Sequence, residues 1–144
     1  MATIASPAYT TANSTGLTQY VPIVGRVLMA AIFLMSGLGK LAAPAATIGY
    51  IQAVGLPLPQ LAFATAVVVE VAGSLLLIAG YQTRLTALAL ALFSVATAIA
   101  FHSAVADQNQ MIHFMKNIAM AGGLLQVVAF GAGGLSLDAR LARR

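Results

Sequence analysis

Four apolar runs, each of roughly twenty residues and separated by short polar connections, restrict this 144-residue chain to very few architectures. They extend from Val21 to Leu41, from Leu61 to Ala79, from Leu85 to Phe101 and from about Ile112 to Phe130. A helix rising about 1.5 Å per residue crosses a hydrocarbon layer of about 30 Å with runs of this length. Within lipid, a segment must satisfy its own backbone hydrogen bonds, and an isolated apolar run does so only as a helix. The connections Tyr81–Arg84 and His102–Met111 force neighbouring helices antiparallel. The expected fold is therefore all-α: a membrane four-helix bundle, up-down-up-down. Between the first two spans, Pro44 to Val54 begins with a proline suited to a first helical turn. It ends at Gly55 before a Leu-Pro-Leu-Pro stretch that cannot continue a helix, so a short interfacial or re-entrant helix is expected there.

Composition agrees with a chain that faces lipid. Hydrophobic residues make up 60% and charged residues 7%, with a mean hydropathy of +0.94, where soluble domains carry about a quarter charged residues. Cysteine is absent, which excludes disulfides, thiolate metal sites and covalent haem attachment. The net charge of +4 comes from residues scattered along the chain, so no contiguous basic patch for nucleic acid exists. The basic residues instead carry a topology signal. Arg26, Arg84, Arg140, Arg143 and Arg144 fall on the membrane side of the termini, against Lys40 and Lys116 on the other, which predicts that both termini are cytoplasmic.

Three segments are expected. Residues 1–20, rich in Ser, Thr and Ala and without a charge, read as a mobile cytoplasmic tail; residues 21–138 form the four-span domain; residues 139–144 form a basic cytoplasmic tail. Ala43-Pro44-Ala45 loosely resembles a signal-peptide cleavage site. The uncharged segment before the first run and Lys40 beside the cut argue against cleavage.

Ionisable residues inside apolar spans cost about 2.5 to 3.5 kcal/mol each on insertion scales, so each needs a partner or a purpose. The informative ones are Arg26, Lys40, Glu70, His102, Lys116 and Asn117. Arg26, Met29, Phe33, Gly37 and Lys40 share one stripe of the first span, and His113, Lys116, Asn117 and Met120 share one face of the fourth. Both stripes are expected to face the interior. Helical rise places Glu70 near Lys116 and Asn117 as one buried polar cluster, with Lys40 and His102 in a shallower layer and Arg26 with Gln126 at the opposite end. Glu70 is then either half of an ion pair that fixes helix register or a proton-handling carboxylate beside a ligand cavity. His102 and His113 flank one loop, which speaks against their pairing as axial haem ligands. Gly25, Gly37, Gly39, Gly73, Gly122 and Gly123 read as points of close helix approach. Met29, Met35, Met111, Met115 and Met120 read as adaptable packing rather than a metal site, although they could line a slot for a flat apolar ligand such as a quinone ring.

The motifs GRVLMAAIFLMSGLGKL (Gly25 to Leu41), VGLPLP (Val54 to Pro59), Glu70 with AGSLLLIAGYQTR (Ala72 to Arg84), FHSA, FMKNIAMAGGLLQ (Phe114 to Gln126) and GAGGLSLD (Gly131 to Asp138) occur in this order. In sequence and spacing the chain resembles the DoxX family of bacterial inner-membrane proteins. That resemblance implies a four-helix membrane domain related to subunits of thiosulfate:quinone oxidoreductase and to a membrane component of an oxidative-stress complex. The family's characteristic polar positions correspond here to Arg26, Ser36, Lys40, Glu70, His102, Lys116 and Asn117, with no settled catalytic role for any. The extra domains of the longer thiosulfate-oxidising relatives are not found in these residues, so an autonomous thiosulfate oxidase is not expected.

Two functions follow. One is a subunit of a redox assembly in the bacterial inner membrane, interacting with quinone or anchoring a redox partner protein, with Glu70, Lys116, Asn117, Lys40, His102 and Arg26 as ligand- or proton-handling residues. The other is a non-enzymatic structural or small-solute transport-associated protein whose polar cluster fixes register. Quinone is the cofactor the first reading would use; no metal and no haem are expected, and small-residue faces make a homo-oligomer plausible.

Overall fold

A computed structural model describes residues 16–144. The expected tail therefore lies outside the described residues for positions 1–15, and Leu17–Gln19 form a single 3-10 turn leading into the first helix. Six α-helices follow: α1 Val21–Ala42, α2 Pro44–Ala53, α3 Pro59–Ala79, α4 Thr83–Phe101, α5 Gln108–Phe130 and α6 Leu137–Leu141. No strand occurs among the described residues. The helices α1, α3, α4 and α5 are long and apolar enough to cross a membrane, and α2 is the shorter helix between the first two spans. The last helix, α6, takes in residues 139–141 of the expected basic tail.

Local signals set the boundaries. Pro22, Pro44 and Pro59 occupy the first turns of α1, α2 and α3, where a missing N–H costs nothing. Gly80 ends α3 at φ +68°, ψ +43°; its N–H donates to the Leu77 carbonyl and that of Tyr81 to Leu76, which closes the helix in a Schellman pair. The Asp107 carboxylate starts α5 by accepting from the Gln110 N–H at 2.9 Å.

The helices pack chiefly as two pairs, α1 with α3 and α4 with α5; α3 and α4 join them, and α1 and α5 meet only sparsely. The core is built of small and medium side chains, among them Ala30, Ala87, Leu90, Ala91 and Leu124, with Phe33 and Met120 at one end. In lipid no hydrophobic force separates helix–helix from helix–lipid contact, so close approach decides the packing. Gly73 lets Leu90 lie against α3, and Gly123 lets Met29 lie against α5. Gly25, Gly39 and Gly122 meet nothing within 4 Å, so only half of the six glycines serve close approach within the chain. Of the methionines, Met29 and Met120 pack inward, whereas Met35, Met111 and Met115 are exposed. The buried hydroxyls of Ser74 on α3 and Ser94 on α4 are satisfied locally: Ser74 donates to the Glu70 carbonyl and Ser94 to that of Leu90.

One register places the site. At Gly37 an added Cβ would meet Val71 Cγ2 at 2.7 Å and Glu70 Cβ at 3.1 Å, so this glycine sets α1 level with the middle of α3. Beyond that level α1 runs only to Ala42, roughly 7 Å, whereas α3 extends to Pro59, roughly 16 Å. The chain breaks at Ala43 (φ −137°, ψ 63°), and α2 turns to pack on α3 and complete the wall that α1 leaves short.

Candidate functional site

In the half of the bundle distal to the termini, the two helix pairs diverge around a cavity of about 980 Å³. Its walls are largely apolar: Phe33 from α1, Tyr50 and Ile51 from α2, Ala66 from α3, Phe93 and Phe101 from α4, Met120 from α5. The rings of Tyr50 and Phe101 stack with centroids 5.6 Å apart, joining α2 to the end of α4. The walls are not closed. Ile32 and Leu61 line the cavity yet keep 45% and 61% exposure, so it opens sideways at heights where a spanning helix meets lipid.

The polar groups in this cavity converge on Glu70, which is 4% exposed. Lys40 Nζ donates to both carboxylate oxygens, at 2.9 and 2.8 Å, and to Ser36 Oγ at 2.8 Å; Ser36 in turn donates to Glu70 Oε1 at 3.1 Å. Ser36 and Lys40, one turn apart, therefore grip the carboxylate from the same face of α1. The pair is bidentate and asymmetrically wet, with the Lys40 side chain 24% exposed against 5% for Glu70.

The expected cluster of Glu70 with Lys116 and Asn117 is corrected here. Glu70 is paired with Lys40, not Lys116, because Gly37 draws α1 against α3 and the Lys40 stem reaches back along that contact. Lys40 is accordingly not in a shallower layer with His102. Lys116 lies 3.2 Å from His113 Nδ1 and Asn117 Nδ2 donates to the His113 carbonyl at 2.9 Å. Both still line the cavity, as does His102, so Glu70, Lys40, Ser36, Lys116, Asn117 and His102 share one space without forming one hydrogen-bonded network. The rings of His102 and His113 stack at 5.0 Å, and His102 Nδ1 meets Gln110 Oε1 at 2.8 Å.

Arg26 stands apart, at the terminal end of the bundle and outside the cavity. It is 1% exposed, and its guanidinium donates to the carbonyls of Leu77 (3.1 Å), Ile78 (3.4 Å) and Leu135 (2.6 Å). The first two close the negative end of α3, where a cation is favoured. Gln126, the partner expected for Arg26, is exposed, because five N–H donors in a planar fork suit clustered carbonyls better than one amide on the lipid side. Here the sequence reading missed Asp138. Its carboxylate accepts from the Gln82 N–H at 2.8 Å and the Thr83 N–H at 2.9 Å, while its own N–H donates to the Gly80 carbonyl at 2.9 Å. Asp138 thus caps α4 from a distance and holds Gln82 at φ +47°, a left-handed conformation few side chains adopt. Burial pushes the Asp138 carboxyl up, but the Thr83 and Gln82 donors and the Arg26 charge outweigh it and hold the group below its ordinary value. The Thr83 Oγ1 makes no hydrogen bond among the described residues, so the geometric contacts to the carboxylate are the two backbone N–H groups. The only signal for this cap in the sequence was an acid placed shortly after a glycine run.

A four-span helix bundle with a laterally open, mainly apolar cavity and one buried ion pair defines the class of protein. The chain belongs to the DoxX family, whose model matches residues 21–103. It is 36% identical over 122 residues to the inner membrane protein YqjF of Escherichia coli K12, covering 85% of this chain and 92% of that protein. It is 32% identical over 123 residues to the inner membrane protein YphA of the same organism, covering 82% and 88%. No solved structure matches the chain significantly.

Proposed function

We propose that this DoxX protein is an inner-membrane subunit of a redox assembly whose cavity holds the ring of a lipid-soluble quinone beside Glu70. The observation that carries the reading is the cavity itself, about 980 Å³, near the upper end of the range of about 300 to 1,000 Å³ typical of small-molecule sites. Phe33, Phe93, Phe101 and Met120 supply surfaces for a flat apolar ring, and Lys40, Ser36, His102 and Asn117 supply hydrogen-bonding groups at its edge. A quinone, when bound, would supply the capacity to take up electrons together with protons. The residues' part is to exclude water, orient the ring and hold a proton at the Glu70 carboxylate or the His102 ring. The electron donor is a partner protein, since the chain has no cysteine and, among the described residues, no cluster of His, Asp and Glu suited to a metal.

Placement in the inner membrane is supported by the two relatives of that description. Cytoplasmic termini are supported by Arg84, Arg140, Arg143 and Arg144, which lie exposed at the terminal end, whereas Arg26 is consumed by backbone carbonyls and no longer counts as a topology charge.

Native mass spectrometry of the gently extracted complex, coupled with an absorption spectrum, tests the reading. It predicts a retained quinone or a copurifying redox protein, and a quinone-dependent rise in melting temperature. A ligand-free homo-oligomer that quinone does not stabilise would sink it. The second reading, an architectural protein, is favoured by one observation: Glu70 is already saturated by Lys40 and Ser36, the geometry expected of a register-fixing pair.

A further inference from the structure

The chain carries three acidic side chains, and each is committed. Glu70 is bound by Lys40 and Ser36; Asp107 caps α5 through the Gln110 N–H; Asp138 caps α4 at the opposite end of the bundle. Residues 1–15 contain no Asp or Glu. Lys116 is therefore a cation for which the chain holds no free side-chain carboxylate. It sits eight residues into α5, roughly 12 Å from that helix's start, and lines the same cavity as the Lys40–Glu70 pair. Its one polar contact is the Nδ1 of His113, which must accept from an ammonium and so cannot neutralise it. Since the Lys40–Glu70 pair is neutral as a unit, the cavity carries one uncompensated positive charge in surroundings where such a charge is costly.

From this we infer that the cavity binds an amphipathic anion, with a carboxylate or phosphate head held by Lys116 and a single apolar chain or ring lying against Phe33, Phe93 and Met120. Two further polar side chains line the same cavity as the cation. Asn117 uses its Nδ2 on the His113 carbonyl, and His102 uses its Nδ1 on Gln110, which leaves the His102 Nε2 as a further site for the head. The inference does not rest on the quinone reading, because it follows from charge and not from ring shape.

Full-length protein in an uncharged detergent, titrated with a fourteen-carbon fatty acid, the alkyl phosphate of the same chain length and the corresponding alcohol, tests it by thermal shift and native mass spectrometry. The expected result is that at least one anion binds about tenfold or more tightly than the alcohol, that Lys116→Gln removes this preference, and that Lys116→Arg keeps it. Preference for the fatty acid identifies a carboxylate ligand, and preference for the alkyl phosphate a phosphate; either supports the inference. Equal binding of acid, phosphate and alcohol, or an anion preference that survives Lys116→Gln, overturns it and leaves Lys116 as a side chain that merely reaches toward the membrane surface. A neutral quinone that binds wild type and Lys116→Gln alike, with no anion binding, supports the redox reading and overturns this one. Because Lys116 is exposed and makes no ion pair, the variant is expected to fold as the wild type does.

Discussion

At the terminal end of the bundle a buried guanidinium is tied to three backbone carbonyls, and the space around it is filled; at the distal end a lysine and a glutamate neutralise each other on the wall of an open cavity. Both are charges within helices long enough to span a membrane, yet they are stabilised by different means. Arg26 works with groups that every helix C-terminus exposes, so its environment is fixed by backbone and tolerates little change. Lys40 and Glu70 work with side chains that can turn, and Lys40 retains contact with the cavity. The difference assigns rigidity to one end and adaptability to the other, which is the division expected of a scaffold that carries a site.

That comparison can be broken at either end. The largest effect is expected at Gly80, where an alanine Cβ would fall on the Arg26 Nη1 and against Ser136, at a φ of +68° that strains any L side chain. Gly80→Ala should cost more than about 3 kcal/mol or prevent accumulation of folded protein, measured by unfolding in detergent micelles. Next, Arg26→Met should lose about 3 kcal/mol by taking the side-chain donor from the Ile78 and Leu135 carbonyls and leaving Leu77 with the Gly80 N–H alone, while ligand binding in protein that still folds remains unchanged. Loss of ligand binding with normal stability would reverse the division of labour.

Asp138 should give an effect of about 1 to 2 kcal/mol on removal of its cap, read from Asp138→Ala in the same unfolding assay at neutral pH, with Asp138→Asn, which keeps one of the two acceptor oxygens, losing less. Its pH dependence has a definite sign. Because the folded carboxyl is held below its ordinary value, its contribution is complete above the unfolded pKa of about 3.9 and is lost as pH falls through the lower folded value. Melting temperature should therefore fall more steeply in acid for the wild type than for Asp138→Asn; parallel acid profiles would remove the linkage.

The smallest stability effect is expected at the cavity. Glu70→Gln keeps the shape and the contact with Ser36 and should cost about 1 kcal/mol, because Lys40 stands in the last turn of α1 and its flexible stem can carry the ammonium toward the distal membrane surface. The redox reading predicts that this variant assembles yet loses quinone-dependent activity, whereas the architectural reading predicts the stability loss alone.

The sequence disclosed the spans to within one residue at their ends and four at their starts, because runs of twenty apolar side chains, prolines at helix starts and glycines at helix ends act locally. The inward stripe on α1 was legible for the same reason, since helical period alone places Arg26, Phe33 and Gly37 on one face; on α5 Asn117 and Met120 are buried as expected, whereas Lys116 at the edge of that stripe is exposed. Which charges meet across helices was not. Helical rise measured from helix ends put Glu70 at the height of Lys116, but pairing followed the α1–α3 approach at Gly37, a relative shift between helices that no single-helix period encodes. The Asp138 cap was hidden for a related reason: it joins positions 55 and 56 residues apart, and its donors are backbone groups without a sequence signature.

The sideways opening beside Ile32 and Leu61 changes what concentration means for anything that binds here. A molecule reaching the cavity through it has already left water and dissolved in the bilayer, so occupancy follows its mole fraction among the surrounding lipids. A compound scarcely detectable in buffer can saturate the protein if it partitions well, and dilution with lipid at constant aqueous volume would empty the site.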